Sequence, residues 1–268
     1  MTGEPSGRPL VSVVIPSIGA AGTVFGASRT FVVEAARSVL ATAGVPIEIV
    51  VVAGVQMPPG TAGELRRLST VDAGVRLVEY AAPFNFSKAV NLGCAHARGT
   101  HLLLLNDDVE VITPSWLTSM LDALGPGVGA VGAKLLFEDG TLQHAGHTYR
   151  GALGHVGFGL PADATGRDGI LTRRRAVAGA TAACLLVPFA VYDLVGGLCT
   201  GLPGNYNDVD LCLKIRAAGL DVVYEPAAVL YHFESRSRVP TIRPEELAFM
   251  DARWHSRIAT DPFTPARL

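Results

Sequence analysis

Lysine is scarce in this chain: only three of its 268 residues are lysines (Lys88, Lys134 and Lys214), and 22 Lys and Arg against 24 Asp and Glu give a formal net charge of −2. Without a basic excess there is no general nucleic-acid surface. Charged residues make up 17% against 49% hydrophobic, which excludes a disordered chain and suffices for one large α/β domain or two small ones. The four cysteines (Cys94, Cys184, Cys199, Cys212) form no CxxC pair and no Cys/His zinc spacing. They read as buried free thiols of a reducing compartment. A long apolar run is also missing. The longest uncharged stretch, between Arg175 and Asp193, is rich in Ala and Gly and contains Pro188. It falls short of the ~20 strongly apolar residues of a membrane span. No signal peptide is evident, and residues 1–9 read as a loose polar tail. The expectation is a soluble, cytoplasmic protein. Peripheral contact with the inner face of a membrane is compatible with it, since a surface patch leaves little trace in a sequence.

What is present is an alternation of strands and helices. Leu10–Ile15, Ile47–Val52, Val75–Tyr80 and Leu102–Leu105 are short apolar or β-branched runs, and helical spacing fills the gaps at Thr30–Ala43, Ala62–Leu68 and Ser87–Ala97. This predicts a parallel sheet with helices on both faces. Gly19, Gly22 and Gly26 predict a flexible loop after the first strand. Further on, a helix over Pro114–Leu124 capped by Thr113 precedes a strand at Val128–Leu136. Phe137–Arg175, rich in Gly, His and turn residues, reads as a hairpin and a long mobile loop. Then come a strand at Ala183–Val187, helices at Phe189–Val195 and Asp208–Ala218, and short strands at Val222–Tyr224 and Val229–His232. An amphipathic helix over Pro244–His255 is expected to pack on its own domain.

Chemistry gathers at the ends of these elements. The leucine strand runs into Asn106-Asp107-Asp108, two carboxylates at the carboxyl edge of the sheet, where α/β proteins bind ligands. Such a pair suits a hard divalent cation, although an acidic turn explains it as well. Asp208 opens a helix after a turn-rich loop. It is either an ordinary first-turn acid or a general base aimed into a cleft. His232 ends a strand, and near two carboxylates it would complete a metal site. Lys88 stands at a helix start, a place suited to an anion, or simply solvated beside a Ser87 cap. His144 and His147 read as ordinary loop residues.

The order of these segments resembles the GT-A-fold, family 2 nucleotide-sugar glycosyltransferases, especially rhamnosyltransferase-like members that build bacterial surface polysaccharides. The resemblance runs from Val11–Pro16 through Phe84–Lys88 with Asn91, Ala97–Gly99, Asn106–Glu110, Asp139–Gly146 and Asn207–Leu211 to Tyr231-His232. It implies a GT-A domain over 10–238, with a donor half (10–110) and an acceptor half (111–238), followed by a C-terminal helix and tail (239–268). It implies Mg²⁺ or Mn²⁺ held by Asp108 and His232, with Asp107 facing the donor and Asp208 as catalytic base. Pro16, Ser17, Lys88 and Asn91 fall on the donor side. The implied reaction is inverting transfer from a nucleotide sugar to a saccharide, lipid-linked or small-molecule acceptor. Composition suggests residues 156–169 as a lid or acceptor loop.

One position departs from the family pattern. Ala53 ends the second strand where relatives carry an Asp that hydrogen-bonds the donor base, and a methyl accepts no hydrogen bond. That opens an alternative, a non-catalytic sugar-nucleotide-binding or scaffold domain of a glycan assembly complex. A scaffold, however, has no need of Asp107, Asp108, Asp208 and His232 together. A nucleotidyltransferase fits worse, because the loop from Ser17 to Arg29 holds no basic cluster.

Overall fold

Alternating buried residues on four neighbouring strands build the centre of the computed structural model, which describes residues 10–72, 74–149, 153–234 and 242–263. The expected tail at 1–9 lies outside the described residues. The first half runs β1 (Val11–Ser17), β2 (Ala21–Val24), β3 (Ala27–Thr30), α1 (Phe31–Thr42), β4 (Ile47–Gly54), α2 (Pro59–Val71), β5 (Val75–Tyr80), α3 (Phe86–Ala95) and β6 (His101–Leu105). The second half runs β7 (Val109–Val111), α4 (Trp116–Asp122), β8 (Val128–Leu136), β9 (Leu142–His144), β10 (His147–Thr148), β11 (Gly154–His155), β12 (Arg175–Val177) and β13 (Cys184–Pro188). It ends with α5 (Phe189–Leu194), α6 (Asn207–Ala217), β14 (Asp221–His232) and α7 (Pro244–Ala259).

The main sheet has the order β12-β14-β8-β13-β6-β1-β4-β5, with β7 added to β14 and β9 to β8. The block β6-β1-β4-β5 is wholly parallel, and β13 is antiparallel to both β6 and β8. Strand periodicity sends Val11, Val13 and Ile15 to one face, with Ile49, Val51, Leu103 and the helices α1 and α4. Val14, Val50, Val52, Leu102 and Leu104 go to the other, against α3. A Cβ on Gly93 of α3 would lie 2.4 Å from Val14 Cγ1, so only glycine lets that helix sit this close to the sheet.

Several expectations change. The glycine loop after β1 is the β2–β3 hairpin, whose tip residue Phe25 packs edge-on to Tyr231 and Phe233 at 5.1 and 5.7 Å between ring centroids. The described residues of the 137–175 segment are anchored rather than one mobile loop, because Leu142, Ala145, Val156 and Leu171 are buried in the second core. Thr113 caps no helix. Its hydroxyl donates to Ala227 O and accepts from Val229 N, tying down β14, and α4 starts at Trp116. The two short strands near the end are one strand, β14, with an irregularity between Glu225 and Val229. All four cysteines are free, with Cys94, Cys184 and Cys212 buried. The helix α7 packs Met250 and Trp254 against Leu202, Val209 and Leu213. No helix among the described residues is long and apolar enough to cross a membrane.

Candidate active site

Two parallel strands and one short antiparallel strand meet at one edge. β1 ends in Ser17, β6 leads into Asn106-Asp107-Asp108, and the chain turns at once into β7. Ser17 Oγ donates to Asp107 Oδ2 at 2.5 Å and accepts from Gly19 N at 2.9 Å. β7 then pairs antiparallel with the end of β14, setting Val109 opposite His232, and Phe233 N donates to Asp108 O at 2.9 Å. This pairing, 123 positions apart in sequence, brings His232 Nε2 to 3.2 Å from Asp108 Oδ1.

The electrostatics there call for positive charge. Asp107 and Asp108 are both buried. Burial, followed by the charge of Asp108, pushes the Asp107 carboxyl up to about 7, against the Ser17 hydrogen bond. Burial pulls His232 down, yet the charges of Asp108, Glu234 and Asp107 outweigh it and hold the imidazole above its ordinary range. His232 Nδ1 donates to Gln143 Oε1 at 2.6 Å, and Gln143 Nε2 donates back to His232 O at 3.1 Å. Gln143 therefore fixes the ring so that Nε2 faces Asp108. A mixed oxygen and imidazole donor set beside a second buried carboxylate fits a divalent cation such as Mg²⁺ or Mn²⁺.

Asp208 enters from the other side. It lies in the first turn of α6, which follows Tyr206 in a left-handed conformation (φ 58°, ψ 5°). A bulky residue held there is strained, which is common beside functional groups. Asp208 Oδ1 accepts from Val209 N at 2.8 Å and Oδ2 from Ala182 N at 3.2 Å. The helix start favours its negative charge. The loop before it is held by Glu246 of α7, whose carboxylate accepts from Gly204 N, Asn205 N and Asn205 Nδ2.

Pro16, Ser17, Asn106, Asp107, Asp108, His232 and Asp208 all line one cavity of about 590 Å³. Lys88 and Asn91 do not. Lys88 is exposed on the first turn of α3, which Asn85 rather than Ser87 caps by accepting from Lys88 N at 2.9 Å. Ser87 instead donates to Leu202 O at 2.6 Å. Asn91 accepts from Tyr192 Oη and Leu198 N and donates to Leu198 O, so its polar atoms hold the turn after α5. Ala53, at the end of β4, is in register with Ser17 on one side and Glu79 of β5 on the other.

Three residues went unrecognised in the sequence. Gln143 carries no strand-end signature. His147 and His155 also line the cavity, and His147 Nε2 lies 3.9 Å from Asp208 Oδ2. Burial brings the His147 imidazole down to about 4 against the pull of Asp208, so this contact joins a neutral ring to a carboxylate. The HxxH spacing with His144 could have marked His147, and Gln143 lies in the Asp139–Gly146 segment of the family resemblance, whereas His155 carries no such signal.

A parallel half-sheet with acids at its carboxyl edge, continued by a mixed half in which β13 runs antiparallel to its neighbours and β14 parallel to β8, is the GT-A architecture of glycosyltransferases. The fold is similar to that of a mannosyltransferase from Pyrobaculum calidifontis, solved with GDP-Man and Mn²⁺ (TM-score 0.59, 19% identity, 98% of this chain and 67% of that one). It is also similar to that of GalNAc-T7, solved with UDP, GalNAc and Mn²⁺ (TM-score 0.68, 13% identity, 93% of this chain and 49% of that one). The profile of glycosyl transferase family 2 matches residues 12–186, and the chain belongs to that family. Among curated relatives, the uncharacterized protein y4gI of Sinorhizobium fredii is 37% identical over 267 residues, covering 96% of this chain and 29% of that protein. The O-antigen biosynthesis protein RfbC of Myxococcus xanthus is 34% identical over 244 residues, covering 89% and 18%. The chain thus spans less than a third of the length of either relative.

Proposed function

We propose that this chain transfers a sugar, with inversion at the anomeric carbon, from a nucleoside diphosphate donor to an acceptor hydroxyl in polysaccharide or glycoconjugate assembly. The observation that carries the reading is the convergence of Asp107, Asp108, His232 and Asp208 on one cavity from three separate places in the sequence. Asp208 is the general base. Its carboxylate, oriented by Val209 N and Ala182 N, takes the proton of the attacking acceptor hydroxyl. Asp108 and His232 hold the divalent cation, with His232 oriented by Gln143. When bound, that cation neutralises charge on the leaving diphosphate. Pro16, Ser17 and Asp107 line the donor side. Ala53 offers the donor base no acceptor, and Glu79 is the carboxylate beside it in register.

The test is turnover across a panel of nucleotide sugars and acceptors with Mg²⁺ or Mn²⁺. Asp208→Asn should lower kcat by about 10²–10⁴-fold, while donor binding and the thermal melt stay at wild-type values. Undiminished turnover in that variant removes Asp208 as base. Calorimetric donor binding without turnover across the whole panel would point to the scaffold reading instead.

A further inference from the structure

Between the two carboxylate sites lies a cluster that the transfer reaction does not use. The turn Ala145-Gly146 joins β9 to β10, and β10 pairs with β11 so that His147 stands opposite His155. His144 completes a triangle of imidazoles with ring centroids 4.7, 5.1 and 5.3 Å apart. One nitrogen from each ring lies within 4.8 Å of the others. His144 and His147 are buried, and His147 and His155 face the main cavity.

Two of these rings are incompletely satisfied. Among the described residues, the buried Nδ1 atoms of His144 and His155 have no hydrogen-bond partner. Buried polar atoms are rarely left so, and an absent ion or water is a usual reason. At His155 the other ring nitrogen donates to the Gln143 carbonyl, which leaves a lone pair on Nδ1. A carbonyl behind a histidine is the usual second partner of a metal ligand. Burial holds all three rings below the ordinary imidazole range, in the neutral form that binds metals.

We propose that His144, His147 and His155 form a transition-metal site of the zinc class, separate from the cation site at Asp108 and His232. The donor chemistry separates the two. Three imidazoles and no carboxylate favour Zn²⁺, Co²⁺ or Ni²⁺, whereas Mg²⁺ prefers the oxygens of the other site. Three protein ligands leave a fourth position open towards the cavity. Metal–nitrogen bonds of about 2.0 Å require the three nitrogens to close in by up to roughly 1.5 Å. At His144 the ring must also change tautomer. Thr181 N now donates to Nε2 at 3.2 Å, so the proton sits on Nδ1. Metal capture at Nδ1 moves that proton to Nε2 and gives up this one hydrogen bond. The site does not depend on the transferase reading.

The test uses the full chain without a polyhistidine tag, stripped with a chelator. It is then titrated with Co²⁺, followed by its visible ligand-field bands, and with Zn²⁺ by calorimetry in excess Mg²⁺. One equivalent should bind, unchanged in Asp108→Asn and weakened at least 100-fold in both His155→Ala and His155→Gln. Mn²⁺ binding at the Asp108 site should persist in the His155 variants, showing that they are folded. Absence of tight Co²⁺ or Zn²⁺ binding in the wild type overturns the site. So does binding that survives both His155 variants, or that disappears in Asp108→Asn.

Discussion

The two acidic centres of the cavity are built in opposite ways. The Asp108 side chain is 5% exposed and sits in the short turn between two strands of the main sheet. The Asp208 side chain is 18% exposed and hangs from a helix start after a strained residue, in a loop held by α7. One carboxylate is fixed by the sheet, beside a second buried acid and an imidazole. The other is fixed by two backbone N–H groups and keeps access to the cavity. A metal ligand needs rigid geometry and low solvation, while a base must meet a variable acceptor hydroxyl and hand its proton on. The contrast matches the division of labour proposed for them.

Asp108→Asn should affect the donor side most. It removes a charge that both Asp107 and His232 respond to, so transfer and its response to Mn²⁺ should fall together, by about 10³-fold or more. Metal-dependent turnover at the wild-type level would erase the difference between the two centres. A pH titration probes the same side without substrate. In chelator, the Asp107 carboxyl titrates at about 7 in the fold against its ordinary 3.8. A folded pKa raised this way favours the protonated native state. Its contribution is full below about pH 4 and is lost as pH rises through 7, at most about 4 kcal/mol. Chemical denaturation between pH 4 and 8 should show this loss in the wild type and a flatter profile in Asp107→Asn. Equal slopes would mean that neither burial nor the charge of Asp108 raises the Asp107 carboxyl.

Smaller effects mark where each centre ends. Gln143→Ala should weaken Mn²⁺ binding by about 10–100-fold, because it frees the ring of His232. Unchanged affinity would show that the sheet alone orients His232. Asn91→Ala should cost about 1–3 kcal/mol of stability by removing the shared acceptor of Tyr192 Oη and Leu198 N and the donor to Leu198 O, with kcat/KM preserved. Lys88→Ala, on an exposed turn, should change stability by less than about 0.5 kcal/mol and leave donor KM unaltered. A large rise in donor KM in either variant would return that residue to the donor site.

Legibility followed the same division. In the N-terminal half, β5 falls at Val75–Tyr80, as its pattern predicts, and β6 ends at Leu105 as expected but starts one residue earlier, at His101. β6 is buried along almost its whole length and β5 is anchored by buried Val75 and Tyr80, and turn residues bound both, so local sequence carries the signal. In the C-terminal half, β8 is equally plain, but residues 137–175 are not. Their strands are two or three residues long and gain stability from partners far along the chain. Thr113 and Asn91 misled for a related reason. A threonine before a helix and an asparagine in a family motif have local roles that the tertiary structure replaced with distant partners, Val229 and Leu198.

The sequence by itself determined the layered α/β fold, the strand end bearing Asp107 and Asp108, and the helix start bearing Asp208, since burial periodicity and chain reversal are written locally. Only the tertiary structure decided that Lys88 and Asn91 stand away from the cavity, that Gln143 clasps His232, and that three histidines meet beside Asp208. Those outcomes rest on strand pairings and side-chain hydrogen bonds between segments far apart in the chain, whose partners no local pattern names.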